Sequence, residues 1–192
     1  MKKHKILIIF SAVLILSFAV DHAFFELVDL IRNPLFDYFM GWMSYFASTF
    51  IVLILLTSFF LIQEKKIRYV MPLWISFFTA GIISLAIKFL VQRPRPFFEV
   101  FIPFFSRLPD YSFPSTHTAL AFAAIPILDK EYPMFKWFWI LFGLLVGFSR
   151  IYNGYHYLSD VVAGAVIGLV IGKMYVLLQE KTNIKWKISS QN

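Results

Sequence analysis

The sequence predicts an all-α, polytopic membrane protein, with six transmembrane helices in one bundle. Three observations predict it. The 192 residues are 59% hydrophobic and only 15% charged, with a mean hydropathy of +0.72, far from the usual globular balance. Six apolar runs recur from end to end, at 6–20, 39–62, 69–91, 115–128, 135–151 and 161–178, to be compared with the roughly 20 residues that cross a bilayer as a helix. Basic clusters fall at the two ends and in alternate connections, the pattern of a chain threaded back and forth. The runs leave no room for a separate soluble domain, so 1–192 is expected to form a single six-helix membrane domain. The absence of cysteine excludes disulfides, thiolate metal sites and a cysteine nucleophile.

Each run has its own logic. The first follows Lys2, Lys3 and Lys5 and is short, about 22 Å as a helix, so it is expected to continue through Phe24, Phe25, Leu27, Val28 and Leu30 as an interfacial stretch. A cleavable signal peptide shares this beginning, but no small-x-small motif follows the apolar core. The second and third runs are long enough to span and are separated by Lys65, Lys66 and Arg68. The fourth is short and holds Pro126, which predicts a kinked helix starting below the membrane surface; a recessed start suits an active site. The fifth and sixth carry Gly143 and Gly147, then Gly164, Gly168 and Gly172. Small residues four apart predict close packing within the chain, holding the ends of these helices in register.

Charge predicts orientation. Lys2, Lys3 and Lys5, then Lys65, Lys66 and Arg68, then Lys130 and Lys136, then Lys181, Lys185 and Lys187 should mark the cytoplasmic side, with both termini there. The opposite connections hold Asp21, Glu26, Asp29, Asp37, Glu99 and Asp110. The net charge of +7 is then mainly a topology signal, and no nucleic-acid partner is expected. His4 and His22 stand apart and read as surface residues. No metal-ligand cluster is evident, and no cofactor is expected.

On the acidic, outward side three polar segments interrupt the apolar pattern. Lys88 lies near the outer end of the third run, where a lone lysine is costly unless it snorkels or meets an anion. Arg95 follows two helical turns later, and two cations on one face call for an anion. Pro94 and Pro96 stiffen the turn that presents Arg95, while Arg93 is expected to face headgroups. Next comes Pro114-Ser115-Thr116-His117, where Ser115 is an expected helix cap and the amides of Ser115, Thr116 and His117 could bind an anion. Last come Ser149-Arg150 and, with i,i+4 spacing, His156 and Asp160. The carboxylate can reach the imidazole and fix its tautomer, or serve simply as a helix N-terminal acid. The planar fork of Arg150 suits a phosphate. Together the segments describe a phosphate site with histidines able to carry out covalent hydrolysis.

With these residues in this order, the chain resembles the type 2 phosphatidic acid phosphatase family of membrane lipid phosphatases, related to vanadium haloperoxidases. The family pattern is a lysine six residues before Arg-Pro, a Pro-Ser-Gly-His segment, and Ser-Arg followed after five residues by His and after three more by Asp. Every element is present except the glycine, replaced here by Thr116. The resemblance implies that His156 is the nucleophile, Asp160 its orienter and His117 the acid that protonates the leaving oxygen. It implies that Lys88, Arg95, Ser115 and Arg150 bind phosphate, with Thr116 contributing a backbone N–H and its side chain narrowing the approach. Three fixed cations would then do the charge work of a metal ion.

Seven aromatics in segment 97–113 (Phe97, Phe98, Phe101, Phe104, Phe105, Tyr111 and Phe113) predict a loop in the membrane interface. The expected partner is therefore a phosphorylated membrane lipid that leaves its tails in the bilayer. Undecaprenyl pyrophosphate, phosphatidylglycerol phosphate and lipid A are the candidates. A proton-coupled transporter is the alternative from another class, since it too places Lys, Arg, His and Asp in spans.

Overall fold

The computed structural model describes residues 2–45, 49–96 and 111–189, with side chains described from residue 8 to 181. Among them are seven α-helices: α1 (Lys2–Asp29), α2 (Pro34–Ser44), α3 (Thr57–Gln63), α4 (Val70–Val91), α5 (Thr116–Glu131), α6 (Lys136–Tyr152) and α7 (Leu158–Ser189). The first apolar run does continue beyond Val20, as one unbroken helix. α2 starts where the Asn33 side chain accepts from the Phe36 amide at 3.1 Å and Pro34 occupies the first turn, a favourable helix start. α4 ends at Gln92, which adopts the left-handed conformation (φ 54°) and returns its N–H to the Lys88 carbonyl, so the helix stops before Pro94.

Among the described residues, four segments are long and apolar enough to cross a membrane: Ile8–Asp29, Ile67–Val91, Pro133–Tyr152 and Leu158–Lys181. Their outer faces are apolar, with Ile15, Ile82 and Leu144 exposed, a surface suited to lipid. The second and fourth runs depart from a simple span. The second is divided into α2, a π-helical turn (Ile51–Leu56) and α3, with 46–48 outside the described residues. At the π turn the Thr57 hydroxyl donates back to the Leu53 carbonyl, a side-chain substitute for the shifted backbone ladder.

The fourth run, α5, is about 24 Å long because it is the bundle's centre rather than one of its lipid-facing walls. Almost every residue from Thr118 to Leu128 is buried, Pro126 being the exception, and a helix apolar all round belongs in an interior. Its alanines admit α7 closely. A Cβ on Gly164, Gly168 or Gly172 would collide with the carbonyls of Ser115, Ala119 and Ala123 respectively, so the predicted glycine packing is realised between α7 and α5. Gly143 meets Phe122 and Ile125 of α5, and Gly147 meets Val161 of α7. These contacts, with the packing of α4 against α5 and α7, bring the C-terminal ends of α4 and α6 and the N-terminal ends of α5 and α7 to one end of the bundle, where the three polar segments meet.

Candidate active site

Lys88 does not snorkel. It is 8% exposed, and its ammonium donates to the Tyr111 carbonyl and, at 3.2 Å, to that of Ser112. The same chain segment is drawn in by the Ser112 amide, which donates to the Arg93 carbonyl at 2.7 Å. A cation buried in an apolar bundle must be solvated by the protein, and these carbonyls hold it between the end of α4 and the start of α5. Arg95 donates to the Tyr155 carbonyl at 2.9 Å and lies 5.7 Å from that residue's ring centroid. Arg150 sits 4.3 Å above the same ring, donating to the Ser44 carbonyl at 2.9 Å and the Ser44 hydroxyl at 2.6 Å. Tyr155 therefore spaces the two guanidiniums. Neither Tyr155 nor Ser44 was singled out from the sequence; only the position of Tyr155 inside the Arg150–His156 interval could have drawn attention to it.

The helix start at Ser115 differs from expectation in one respect. The Ser115 side chain makes no capping bond to its own helix; its hydroxyl instead accepts from Thr118 at 2.9 Å. The Ser115 amide is committed to the Asp160 carbonyl at 2.9 Å and is not directed at an anion. This bond ties the N-terminus of α5 to that of α7. The Thr116 hydroxyl, present where the family has glycine, is buried without a hydrogen-bond partner.

His156 lies between α6 and α7, 1% exposed, with Nδ1 at 3.5 Å from Asp160 Oδ2. That separation exceeds an ordinary hydrogen bond, and Nδ1 has no hydrogen-bond partner. Burial, reinforced by the positive charges of Arg150, Lys88 and Arg95, holds the His156 imidazole well below its ordinary pKa. It is neutral, with a lone pair to offer. The same three cations act on His117, so the five side chains form one electrostatic unit.

Asp160 is the acid in the first turn of α7, the simpler of the two readings its spacing allowed. Its Oδ2 accepts from the Tyr157 amide at 2.8 Å, the reciprocal bond of a capped helix start, and from the Ser112 hydroxyl, while facing His156. Its Oδ1 is held by Arg93 at 2.7 Å. Two expectations are corrected here. Arg93 does not face headgroups, because it is drawn inward by carboxylates, and Asp21 is not in a connection but inside α1, 3% exposed. Of the aromatic segment, Tyr111 and Phe113 are described: the Tyr111 ring packs edge-on to Phe89 at 6.3 Å and that of Phe113 lies 5.7 Å from Phe18. Phe97, Phe98, Phe101, Phe104 and Phe105 lie outside the described residues.

Comparison with known proteins identifies the family. Residues 69–184 match the model of the PAP2 superfamily. The chain is 32% identical over 149 residues to the undecaprenyl-diphosphatase BcrC of Bacillus subtilis, covering 75% of each protein. It is 28% identical over 166 residues to phosphatidylglycerophosphatase B of the same organism, covering 80% of each. The crystal structure of the first transmembrane PAP2-type phosphatidylglycerolphosphate phosphatase from Bacillus subtilis superposes with a TM-score of 0.72, over 94% of this chain and 98% of that one, at 23% identity. The resemblance seen in the motifs thus extends to the fold, and the transporter alternative gives way to a metal-independent hydrolase family. The chain belongs to the PAP2 superfamily of multi-pass membrane lipid phosphatases.

Proposed function

We propose that this enzyme hydrolyses a phosphomonoester or pyrophosphate headgroup of a membrane lipid through a phosphohistidine at His156. The observation that carries the reading is the convergence of Lys88, Arg95 and Arg150 on two imidazoles, one of which has a buried carboxylate 3.5 Å from its Nδ1. With Nδ1 turned toward Asp160, Nε2 of His156 is the attacking atom. Its lone pair forms the N–P bond in line as the bond to the leaving oxygen breaks, and His117 gives that oxygen its proton. Lys88, Arg95, Arg150 and the first-turn amides of α5 stabilise the equatorial oxygens. Water, deprotonated by His117, then attacks phosphorus, the N–P bond breaks, and inorganic phosphate leaves with His156 neutral again. Asp160 stabilises the imidazolium while the ring carries phosphorus.

In this reading the chain crosses the membrane six times. α5 and the divided second run join the four long spans, both termini are cytoplasmic, and the site opens on the outer face. The alternating basic clusters support that orientation. Undecaprenyl pyrophosphate, phosphatidylglycerol phosphate and lipid A phosphate are the candidates, because relatives named for each of those activities align over three quarters or more of the chain. The test is inorganic phosphate release by detergent-purified enzyme from the three lipids and phosphatidic acid, with chelator present. We expect release from at least one lipid, and a loss of about 10⁴-fold or more in His156→Ala. Undiminished release by that variant would reject the phosphohistidine.

A further inference from the structure

Beyond the phosphate ligands, the Arg93 guanidinium carries three side-chain hydrogen bonds at this end of the bundle. Nη1 donates to Asp160 Oδ1 at 2.7 Å and to the Ser159 hydroxyl at 2.6 Å, while Nη2 donates to Asp21 Oδ2 at 2.7 Å. The Tyr157 ring covers it, 4.0 Å from centroid to guanidinium carbon. Two carboxylates, one from each end of the sequence and nearly inaccessible to water (4% and 0% side-chain exposure), thus share one cation. Asp21 also accepts from the Ser159 amide at 2.8 Å and hydroxyl at 2.6 Å. It therefore satisfies the first turn of α7 from across the bundle, three residues from His156.

This arrangement leaves Asp160 one orientation. Arg93 holds Oδ1, so Oδ2 must face the Tyr157 amide, the Ser112 hydroxyl and His156 Nδ1. The same guanidinium ties the Asp160 carboxylate to that of Asp21 on α1, so its orientation is fixed from two elements at once. A rotated Asp160 could not support an imidazolium.

We infer that Arg93 and Asp21 are positioning residues for the nucleophile, acting through Asp160, and that α1 thereby belongs to the catalytic apparatus although it precedes the 69–184 segment that carries the family match. The inference rests on His156 being the nucleophile. Neither residue touches substrate. Lys88, Arg95 and Arg150 have anchors of their own at Tyr111, Ser112, Tyr155 and Ser44, so the main effect of loosening the bridge is expected at Asp160.

The test measures kcat, KM and inhibition by phosphate and by orthovanadate for Arg93→Met, Arg93→Lys, Asp21→Asn and the His156→Ala control, with the melting temperature in detergent recorded for each. Vanadate adopts the five-coordinate geometry of the transition state on the attacking nitrogen, whereas phosphate needs only the cation cluster. We expect Arg93→Met and Asp21→Asn to lower kcat by about 10- to 100-fold, with KM and phosphate inhibition within about twofold of wild type and vanadate inhibition weakened in parallel with kcat. Lysine keeps the charge but cannot fork to two carboxylates, so Arg93→Lys should fall between Arg93→Met and wild type. Unchanged kcat in both Arg93→Met and Asp21→Asn, a rise in KM instead, equal weakening of phosphate and vanadate, or loss of the fold in both would overturn the inference. An active His156→Ala would instead overturn the nucleophile on which it rests.

Discussion

Tyr155 illustrates how much a single side chain can settle at this site. Its ring lies against both Arg95 and Arg150 and its carbonyl anchors the first, so Tyr155→Leu keeps the bulk but loses the aromatic face. Each cation–π contact of this kind is worth about 0.5–2 kcal/mol, and a several-fold rise in KM is expected from steady-state kinetics, with the melting temperature little changed. Thr116 offers a second test. Its buried hydroxyl lacks a partner in the structure and sits at the start of α5, so Thr116→Val should raise KM if the hydroxyl meets substrate oxygen. Thr116→Gly should admit bulkier headgroups, seen as a changed ranking across the lipid panel. The neutral state of His156 has a pH signature as well. Because burial and three cations depress its pKa from the ordinary 6.5, the acid limb it contributes to kcat/KM should lie well below pH 6.5, once titration of the substrate's own phosphate is subtracted. Arg150→Met should move that limb upward while lowering kcat/KM overall. The same depression costs stability only as pH falls below 6.5, where the unfolded chain binds a proton that the folded site refuses. The motif residues were legible at this scale because a lysine, two arginines, two histidines and a carboxylate stand out in an apolar chain. The inward turn of Arg93 was not, because its sequence neighbours give no hint of Asp21, 72 positions away.

At the scale of elements, the glycine spacing on α7 was readable and its partner was not. A stripe of small residues announces a close approach, but only packing identifies α5 as the neighbour, with the Ser115, Ala119 and Ala123 carbonyls where side chains would be. Gly168→Val should therefore push apart the helices that carry His117 and Asp160. We expect a destabilisation of about 1–3 kcal/mol, read as a lower melting temperature in detergent, with activity falling alongside because both ends of the site move. A valine at Gly41, where a new Cβ meets nothing within 4 Å, provides the control with little effect. The apolar runs themselves predicted the long helices well, since length and hydropathy are local properties. They predicted the divided second run poorly, because a π turn and a break change neither composition nor periodicity enough to be seen.

The whole molecule separates its site from its basic end. α5 runs from His117 at the site to Lys130, which pairs with Glu180 of α7 at 2.6 Å, and Lys136 pairs with Asp129 at 3.1 Å beside it. With no native cysteine, single-cysteine labelling is free of background. Lys65→Cys should react with an impermeant maleimide only after the cells are opened, and Leu35→Cys, on the exposed first turn of α2, should react in intact cells. The reverse pattern would turn the proposed orientation over.

By itself, the sequence determined the membrane class, the long helices, the phosphate chemistry and the family, because each is written in composition or in residues a fixed distance apart along the chain. Only the tertiary structure decided that α5 is an enclosed centre, that Tyr155 spaces two arginines, that the Ser115 amide serves Asp160 rather than an anion, and that Asp21 and Arg93 brace the carboxylate behind His156. Those are relations between residues tens of positions apart, and burial makes them necessary: a charge taken out of water must find its partner wherever the fold brings one.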